Sequence, residues 1–166
     1  MQTSKVEHKF EYMMKTSRKG FTLIELLVVI GIIAILAGIV IIAINPARQF
    51  AQARNTQRTS NVRAILDAVG QRMADNQGVF ETGCAAGAIT TSAVPVYIGS
   101  STYNIAPCIV PTYIATLPYD PSDPNARYNS IADYNTGYTV GRSSSTLRVT
   151  VAAPSAELGV AISITR

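Results

Sequence analysis

One carboxylate in this sequence is the side chain most in need of a chemical partner. Glu25 interrupts an apolar run that extends from Phe21 to Ile44, and Thr22 is the only other polar residue in the run. A charged side chain at membrane depth costs about 2.5–3.5 kcal/mol on insertion scales. Pairing with a cation relieves much of the cost of burying a carboxylate. The position of Glu25 therefore needs an explanation beyond anchoring.

The run around Glu25 has the length of a membrane-spanning helix. Its 24 residues, at a rise of about 1.5 Å each, give a helix of about 36 Å, and a bilayer core is about 30 Å thick. Five cations precede the run, and three arginines follow it closely. This bias favours a cytoplasmic N-terminus.

Two common roles of such a segment fit incompletely. A secretory signal peptide has an apolar region of about 7–15 residues followed at once by a small-residue cleavage site. Here the run is longer, and the A-x-A sequence at residues 51–53 lies well past its end. A plain signal anchor explains the length and the flanking charges, but it does not explain Glu25.

The segment RKGFTLIELLVVIGIIAIL resembles the class III signal sequence of type IV pilins, pseudopilins and competence pilins. The matching positions are a basic pair, a glycine, an apolar–polar start and a glutamate before the aliphatic run: Arg18, Lys19, Gly20, Phe21, Thr22, Leu23, Ile24 and Glu25. The resemblance implies that a prepilin peptidase cuts between Gly20 and Phe21 on the cytoplasmic side. It also implies that Phe21 is then N-methylated and that the apolar run is retained.

This resemblance gives Glu25 a partner. Gly20 has no side chain, so a peptidase can approach its backbone closely. Cleavage leaves an ammonium group on Phe21, and in the family the matching glutamate faces that group on a neighbouring subunit. The expected role of Glu25 is therefore to set the assembly register, because its charge is unpaired until a subunit docks. A glutamate that snorkels to the membrane surface is the alternative.

Four regions are expected along the chain. Residues 1–20 form a cytoplasmic leader that is removed, residues 21–44 a transmembrane and filament-core helix, residues 45–78 an amphipathic continuation, and residues 79–166 a globular β domain. Pro46 lacks a backbone donor and should kink or open the long helix, which should stop at Asn76-Gln77-Gly78.

The second half of this helix has one apolar and one charged face. The apolar positions recur at helical spacing and are Val62, Ile65, Leu66, Val69 and Met73. The opposite face is predicted to carry Arg54, Arg58, Arg63, Asp67, Arg72 and Asp75. We expect the apolar face to pack on the C-terminal domain.

Beyond residue 79 the composition favours strands and turns. Strands are predicted over 94–98, 138–142, 146–152 and 159–164. The fold class is therefore α+β, with a long N-terminal helix, membrane-spanning in its first half, packed on a small antiparallel sheet. The resemblance to pilins supports the same arrangement.

Cys84 and Cys108 are the only cysteines. After translocation they lie in an oxidising compartment, where such a pair usually forms a disulfide. The closed loop of about 25 residues would contribute roughly 3 kcal/mol.

Other chemistry has weak support. The only histidine, His8, lies in the expected leader, so no catalytic residue is assigned and the protein is not expected to be an enzyme. Four oxygen donors suit calcium: Asp120, Asp123, Asn125 and Asp133. The stretch LPYDPSDPN, residues 117–125, is loosely similar to the one before the calcium loop of major pseudopilins. A solvated Pro/Asp turn is the favoured alternative, so no metal or cofactor is assigned.

Nucleic-acid binding is disfavoured. Five arginines line the second half of the helix: Arg48, Arg54, Arg58, Arg63 and Arg72. Once residues 1–20 are set aside, however, the net charge is only +1, which gives little long-range field.

The expected function is that of a structural subunit of a type IV pilus-like filament, serving adhesion, motility or DNA uptake. Its partners would be its own copies, the prepilin peptidase and an inner-membrane assembly platform. It would move from a single-pass membrane precursor to a surface filament. A pseudopilin of a type II secretion system, confined to the periplasm, is one alternative. A signal-anchored periplasmic binding module is an alternative of another class.

Overall fold

The computed structural model describes residues 20–91 and 94–166. The leader pair Arg18 and Lys19 lies outside the described residues. The helices and strands, in chain order, are α1 (Leu23–Ile44), α2 (Pro46–Asp75), β1 (Val96–Gly99), α3 (Ala106–Ile109), β2 (Arg127–Ser130), β3 (Asp133–Arg142), β4 (Val149–Ala153) and β5 (Ile162–Thr165). Helix α1 belongs to one compact unit, and residues Asn45–Arg166 form a second.

Helix α1 is apolar around its whole circumference. Outside residues 42 and 43, its large apolar side chains from Leu23 to Ile44 are at least half exposed, because no described residue of its unit covers them. Within the described residues, Leu23–Ile41 is the one helical stretch long and apolar enough to cross a membrane, with a mean hydropathy of 3.0. An exposed helix of this composition requires lipid or protein around it.

The helix that was expected to open at Pro46 is interrupted one residue earlier. Asn45 adopts a left-handed conformation (φ 45°, ψ 80°), and its Oδ1 accepts a hydrogen bond of 3.3 Å from the backbone N–H of Arg48. Pro46 is the first residue of α2, where its missing N–H costs nothing. Asparagine tolerates the left-handed region, and a residue before proline is disfavoured in the α conformation. The Asn45-Pro46 pair therefore ends one helix and begins the next.

Helix α2 buries the predicted apolar stripe. Val62, Ile65, Leu66 and Val69 are almost completely buried, and Met73 packs against the same core. The helix ends at Asp75, and the backbone N–H of Gly78 (φ 87°) closes the end with a 2.7 Å bond to the Met73 carbonyl. The predicted charged face is wrong at two positions, because Arg58 and Arg72 are both buried.

The sheet is antiparallel and five-stranded, with the order β1-β3-β4-β5. The ten-residue strand β3 is central, and its first residues pair with β2. Helix α2 packs on β4 and β5. The α+β fold class predicted from the sequence is thus confirmed.

The observed strands differ from the predicted ones in their first residues and in number. Strand β3 begins at Asp133, five residues before its predicted start, and β2 was not predicted. Both contain polar residues that hide the alternating pattern of a strand. Strand β4 begins at Val149 because the preceding residues form a turn in which Leu147 has φ 56°.

The Cys84–Cys108 disulfide joins the loop after α2 to the short helix α3, with the two Cα atoms 5.4 Å apart. The buried guanidinium of Arg72 holds both sides of this loop. It donates hydrogen bonds of 2.6–2.8 Å to the carbonyl oxygens of Phe80, Thr82 and Cys108. The end of α2 and the disulfide loop therefore form one connected structure.

Loss of the disulfide should destabilise the C-terminal unit. We expect the variant Cys84→Ser/Cys108→Ser to lose about 3 kcal/mol of unfolding free energy, because the unfolded chain regains the freedom of the open loop. The measurement is urea unfolding of the full chain in detergent. Adding reductant to the variant should change nothing further, and a loss below about 1 kcal/mol would contradict the expectation.

Candidate processing and assembly site

The expected cleavage site lies just ahead of α1 and is open. Gly20 is exposed, and a Cβ added there would meet no atom within 4 Å. The Phe21 side chain is 91% exposed. Both residues precede the first residue of α1, Leu23, so the peptide bond between them is not part of a helix.

Thr22 and Glu25 form a capping box at the start of α1. The Thr22 backbone N–H and its hydroxyl each donate a 2.8 Å hydrogen bond to Glu25 Oε2. In return, the Glu25 backbone N–H donates a 3.2 Å bond to Thr22 Oγ1. Such a pair satisfies donors that the first turn of a helix otherwise leaves unbonded.

The capping box gives Glu25 a role within its own chain, in addition to the expected pairing of its charge. The signal was present in the sequence, because a threonine followed three residues later by glutamate is the signature of this motif. Only Oε2 is used. Among the described residues, no hydrogen bond reaches Glu25 Oε1. The carboxylate is therefore oriented near the chain end that cleavage would create, with one oxygen open to a further donor.

The sequence-predicted site residues fall into separate places. Gly20, Phe21 and Glu25 lie together at the start of α1, whereas Cys84 and Cys108 belong to the second unit. Pro46 begins α2.

The candidate calcium ligand Asp120 has another partner. Its carboxylate is fully buried and receives two bonds from Arg58, Nε to Oδ2 at 2.8 Å and Nη2 to Oδ1 at 3.0 Å. The backbone N–H groups of Ser122 and Asp123 also donate to Oδ1. Asp120 thus pairs with a buried cation and is not free to bind a metal ion.

The Arg58 guanidinium is fully buried and uses all five of its N–H donors. Besides the two bonds to Asp120, Nη1 donates to Asn55 Oδ1 and Glu157 Oε2, and Nη2 donates to Ser122 Oγ. Arg54 also binds Glu157 through two bonds of 2.6–2.7 Å. We call this group the Arg58 cluster: Arg54, Asn55, Arg58, Asp120, Ser122 and Glu157.

The cluster shifts the protonation of its members. The hydrogen bond from Arg54, followed by that from Arg58, lowers the pKa of Glu157 to about 2. Burial acts to raise the pKa of Asp120, but the bonds from Arg58 and the two backbone N–H groups outweigh it, and the net shift is downward. The Asp120 hydrogen bond in turn raises the pKa of Arg58 despite its burial. Two carboxylates and two guanidinium groups therefore stay charged together.

The remaining acidic loop residues are dispersed. Asp133 binds Arg127 and Asn129, while Asp123 Oδ1 accepts the backbone N–H of Asn125. Within residues 20–91 and 94–166, no group of three or more His, Cys, Asp or Glu side chains is placed to hold a metal ion.

The helix arginines are mostly engaged inside the fold. Arg54 and Arg58 belong to the Arg58 cluster, and Arg72 holds the disulfide loop. Arg48 and Arg63 are exposed.

Comparison with protein families finds the prokaryotic N-terminal methylation motif at residues 15–41. Comparisons with curated proteins and with solved structures find no match. The motif, together with the α+β fold, supports a type IV pilin-like or pseudopilin-like prepilin with a class III signal sequence. The motif implies processing by a prepilin peptidase and a membrane-anchored precursor, and it points to a structural subunit.

Breaking the buried ion pair should be costly. We expect Arg58→Met to lower the unfolding free energy by about 3–5 kcal/mol, because Asp120 is left charged and buried. The matched control is Arg127→Met, which breaks the exposed pair with Asp133 and should cost less than about 1 kcal/mol. Urea unfolding of both variants in detergent makes the comparison, and equal losses would contradict it.

Acid should weaken the same region. The folded pKa of Glu157 is about 2 and lies below the unfolded value, so its contribution is complete above about pH 5 and is lost as the pH falls toward 2. The midpoint of thermal unfolding, followed by near-UV circular dichroism, should therefore drop across this range. We expect Glu157→Gln to have a lower midpoint at neutral pH and a shallower drop. An unchanged slope would contradict this linkage.

Proposed function

We propose that this protein is a subunit of a type IV pilus-like filament, cut between Gly20 and Phe21, N-methylated at Phe21 and polymerised through α1. The observation that carries the proposal is the combination found at the start of α1. An apolar helix exposed on all sides begins with one carboxylate, and that carboxylate is oriented beside the processing site.

The exposed surface of α1 supports a helical filament core. A helix that is apolar on all faces can be surrounded by lipid in the precursor and by copies of itself in a polymer. The small residues Gly31, Ala34 and Gly38, spaced three and four apart, allow close approach of neighbouring helices.

The open oxygen of Glu25 supports an ion pair between subunits. Its Oε2 is bound to Thr22, so the carboxylate already has a fixed orientation before a neighbour arrives. The Phe21 ammonium of the next subunit supplies the missing donor and the opposite charge at Oε1. Pairing removes the penalty of an isolated charge in an apolar setting.

The experiment separates the two roles of Glu25. Glutamine also serves in a capping box, so Glu25→Gln keeps the cap and removes the charge. We expect this variant to lose filament assembly by about tenfold or more, as the loss of more than about 1.4 kcal/mol per contact implies. Thr22→Val is the matched control. It removes the two bonds of the hydroxyl but keeps the Glu25 charge and the bond from the backbone N–H of residue 22 to Oε2, so it should still assemble.

The readout is the amount of chain sheared from intact cells, with the intact mass of the sheared and membrane fractions. The proposal expects a sheared chain that starts at N-methyl-Phe21 and is two hydrogens lighter for the disulfide. The same species confined to the membrane would indicate a pseudopilin. A chain that retains residues 1–20, or full assembly of Glu25→Gln, would favour the signal-anchored module.

A further inference from the structure

Gly70 lies within α2, five residues before the last helical residue, Asp75, and the subunit itself does not explain a glycine there. A Cβ added to Gly70 would meet no atom within 4 Å, and its backbone conformation is an ordinary helical one. Glycine in a helix interior is less stable than alanine. The missing side chain therefore leaves an opening on the surface at a cost to the helix.

That opening is apolar. Gly70 borders a cavity of about 200 Å³, here called the Gly70 notch, which is also lined by Leu66, Val69, Met73, Leu147, Val149 and Arg166. Its inner wall consists of almost fully buried core residues, namely Leu66, Val69 and Val149. Arg166 is held beside the helix by an ion pair with Asp67. The notch is suited to a single apolar side chain.

Phe50 is the side chain with the matching properties. It is the only large apolar side chain of α2 that is exposed, at 64% of its area. Its neighbours three positions away on the helix surface are Ala47 and Ala53, whose small side chains leave the ring protruding. An exposed aromatic of this size is an effective anchor when it enters a pocket.

The positions of Phe50 and Gly70 on α2 decide whether they can touch within one chain or only between two chains. They are twenty residues apart, which corresponds to about 30 Å along the axis and about 200° around it. The centre of the buried face, which includes Arg58, Val62 and Val69, is rotated by about 100° from Phe50 around the helix axis, halfway to Gly70. The protruding ring and the notch are therefore on opposite flanks of a rigid element and cannot meet within one chain.

We propose that Phe50 of one subunit inserts into the Gly70 notch of the next copy of the chain. This proposal rests on the filament function above and names a contact between globular units in that filament. Two different patches on one subunit give a head-to-tail contact, which propagates into an open helical polymer. Copies joined this way with parallel α2 helices are displaced by about 30 Å along the helix axis.

Cysteine cross-linking tests the contact in the full chain. Filaments sheared from cells that produce Phe50→Cys/Gly70→Cys are treated with a bis-maleimide of about 10 Å reach, comparable to the distance across one helix. We expect a ladder of dimers, trimers and longer species. The matched control is Gln52→Cys/Gly70→Cys, whose first cysteine lies on the same flank as the notch, and its ladder should be at least about tenfold weaker.

Filling the notch is the second test. Gly70→Leu should reduce the sheared filament by about tenfold or more, equivalent to about 1.4 kcal/mol per contact. Gly70→Ala should raise the thermal midpoint of the subunit in detergent by about 2–4 °C, since the opening carries no stabilising role within the chain. Ser60→Leu adds the same bulk on the solvent face of α2 and should leave filament yield unchanged.

The outcomes are distinct. A ladder from the Phe50→Cys/Gly70→Cys chain, with the weak control, supports the contact. Filaments without that ladder, an equal ladder from the control, or dimers from Phe50→Cys alone would overturn it while leaving the filament function intact. Failure of the unsubstituted chain to release any filament would overturn the proposed function itself, and the contact with it.

Discussion

The C-terminal unit depends on one desolvated guanidinium, that of Arg58. A buried cation is tolerated only if every donor is bonded and its charge is balanced. Asn55, on the same helix, accepts one of the bonds, and groups from distant parts of the chain accept the others and balance the charge. Asp120 comes from the Pro/Asp loop and Glu157 from the segment between β4 and β5. These two irregular segments are therefore held on α2 by charge, while Val62, Ile65 and their neighbours hold the sheet by apolar packing.

The elements that follow from local pattern were predictable, and those that follow from distant partners were not. The apolar run of α1 and the stripe from Val62 to Val69 are visible in the sequence because helical spacing is a local property. The burial of Arg58 and Arg72 is not, since it depends on carboxylates and carbonyl groups far along the chain. Strand β2 was not predictable for a related reason, because its polar residues show no strand pattern and are held in place by pairing with β3. At the start of α1, the cap between Thr22 and Glu25 was predictable from the spacing of the two residues, although it was not predicted.

In the proposed filament, Glu25 would combine two functions that are usually considered separately. As a capping residue it stabilises the first turn of α1, and as a charge it requires a cation that its own helix does not provide. The cap uses one oxygen and leaves the other, so the two roles do not compete. Thr22 therefore acts as a positioning residue for the carboxylate, and the short spacing between these residues follows from the geometry of a helix start.

The exposure of α1 has a consequence for the energetics of any polymer that it builds. Lipid tails and the apolar faces of neighbouring helices are nearly equivalent surroundings for isoleucine and leucine. Moving α1 from a bilayer into a bundle of its copies is thus an exchange between similar solvents, with almost no hydrophobic driving force. The free energy of such a transfer is close to zero, so small differences at particular residues decide its sign. A nearly balanced exchange is also one that modest work from outside the chain can reverse.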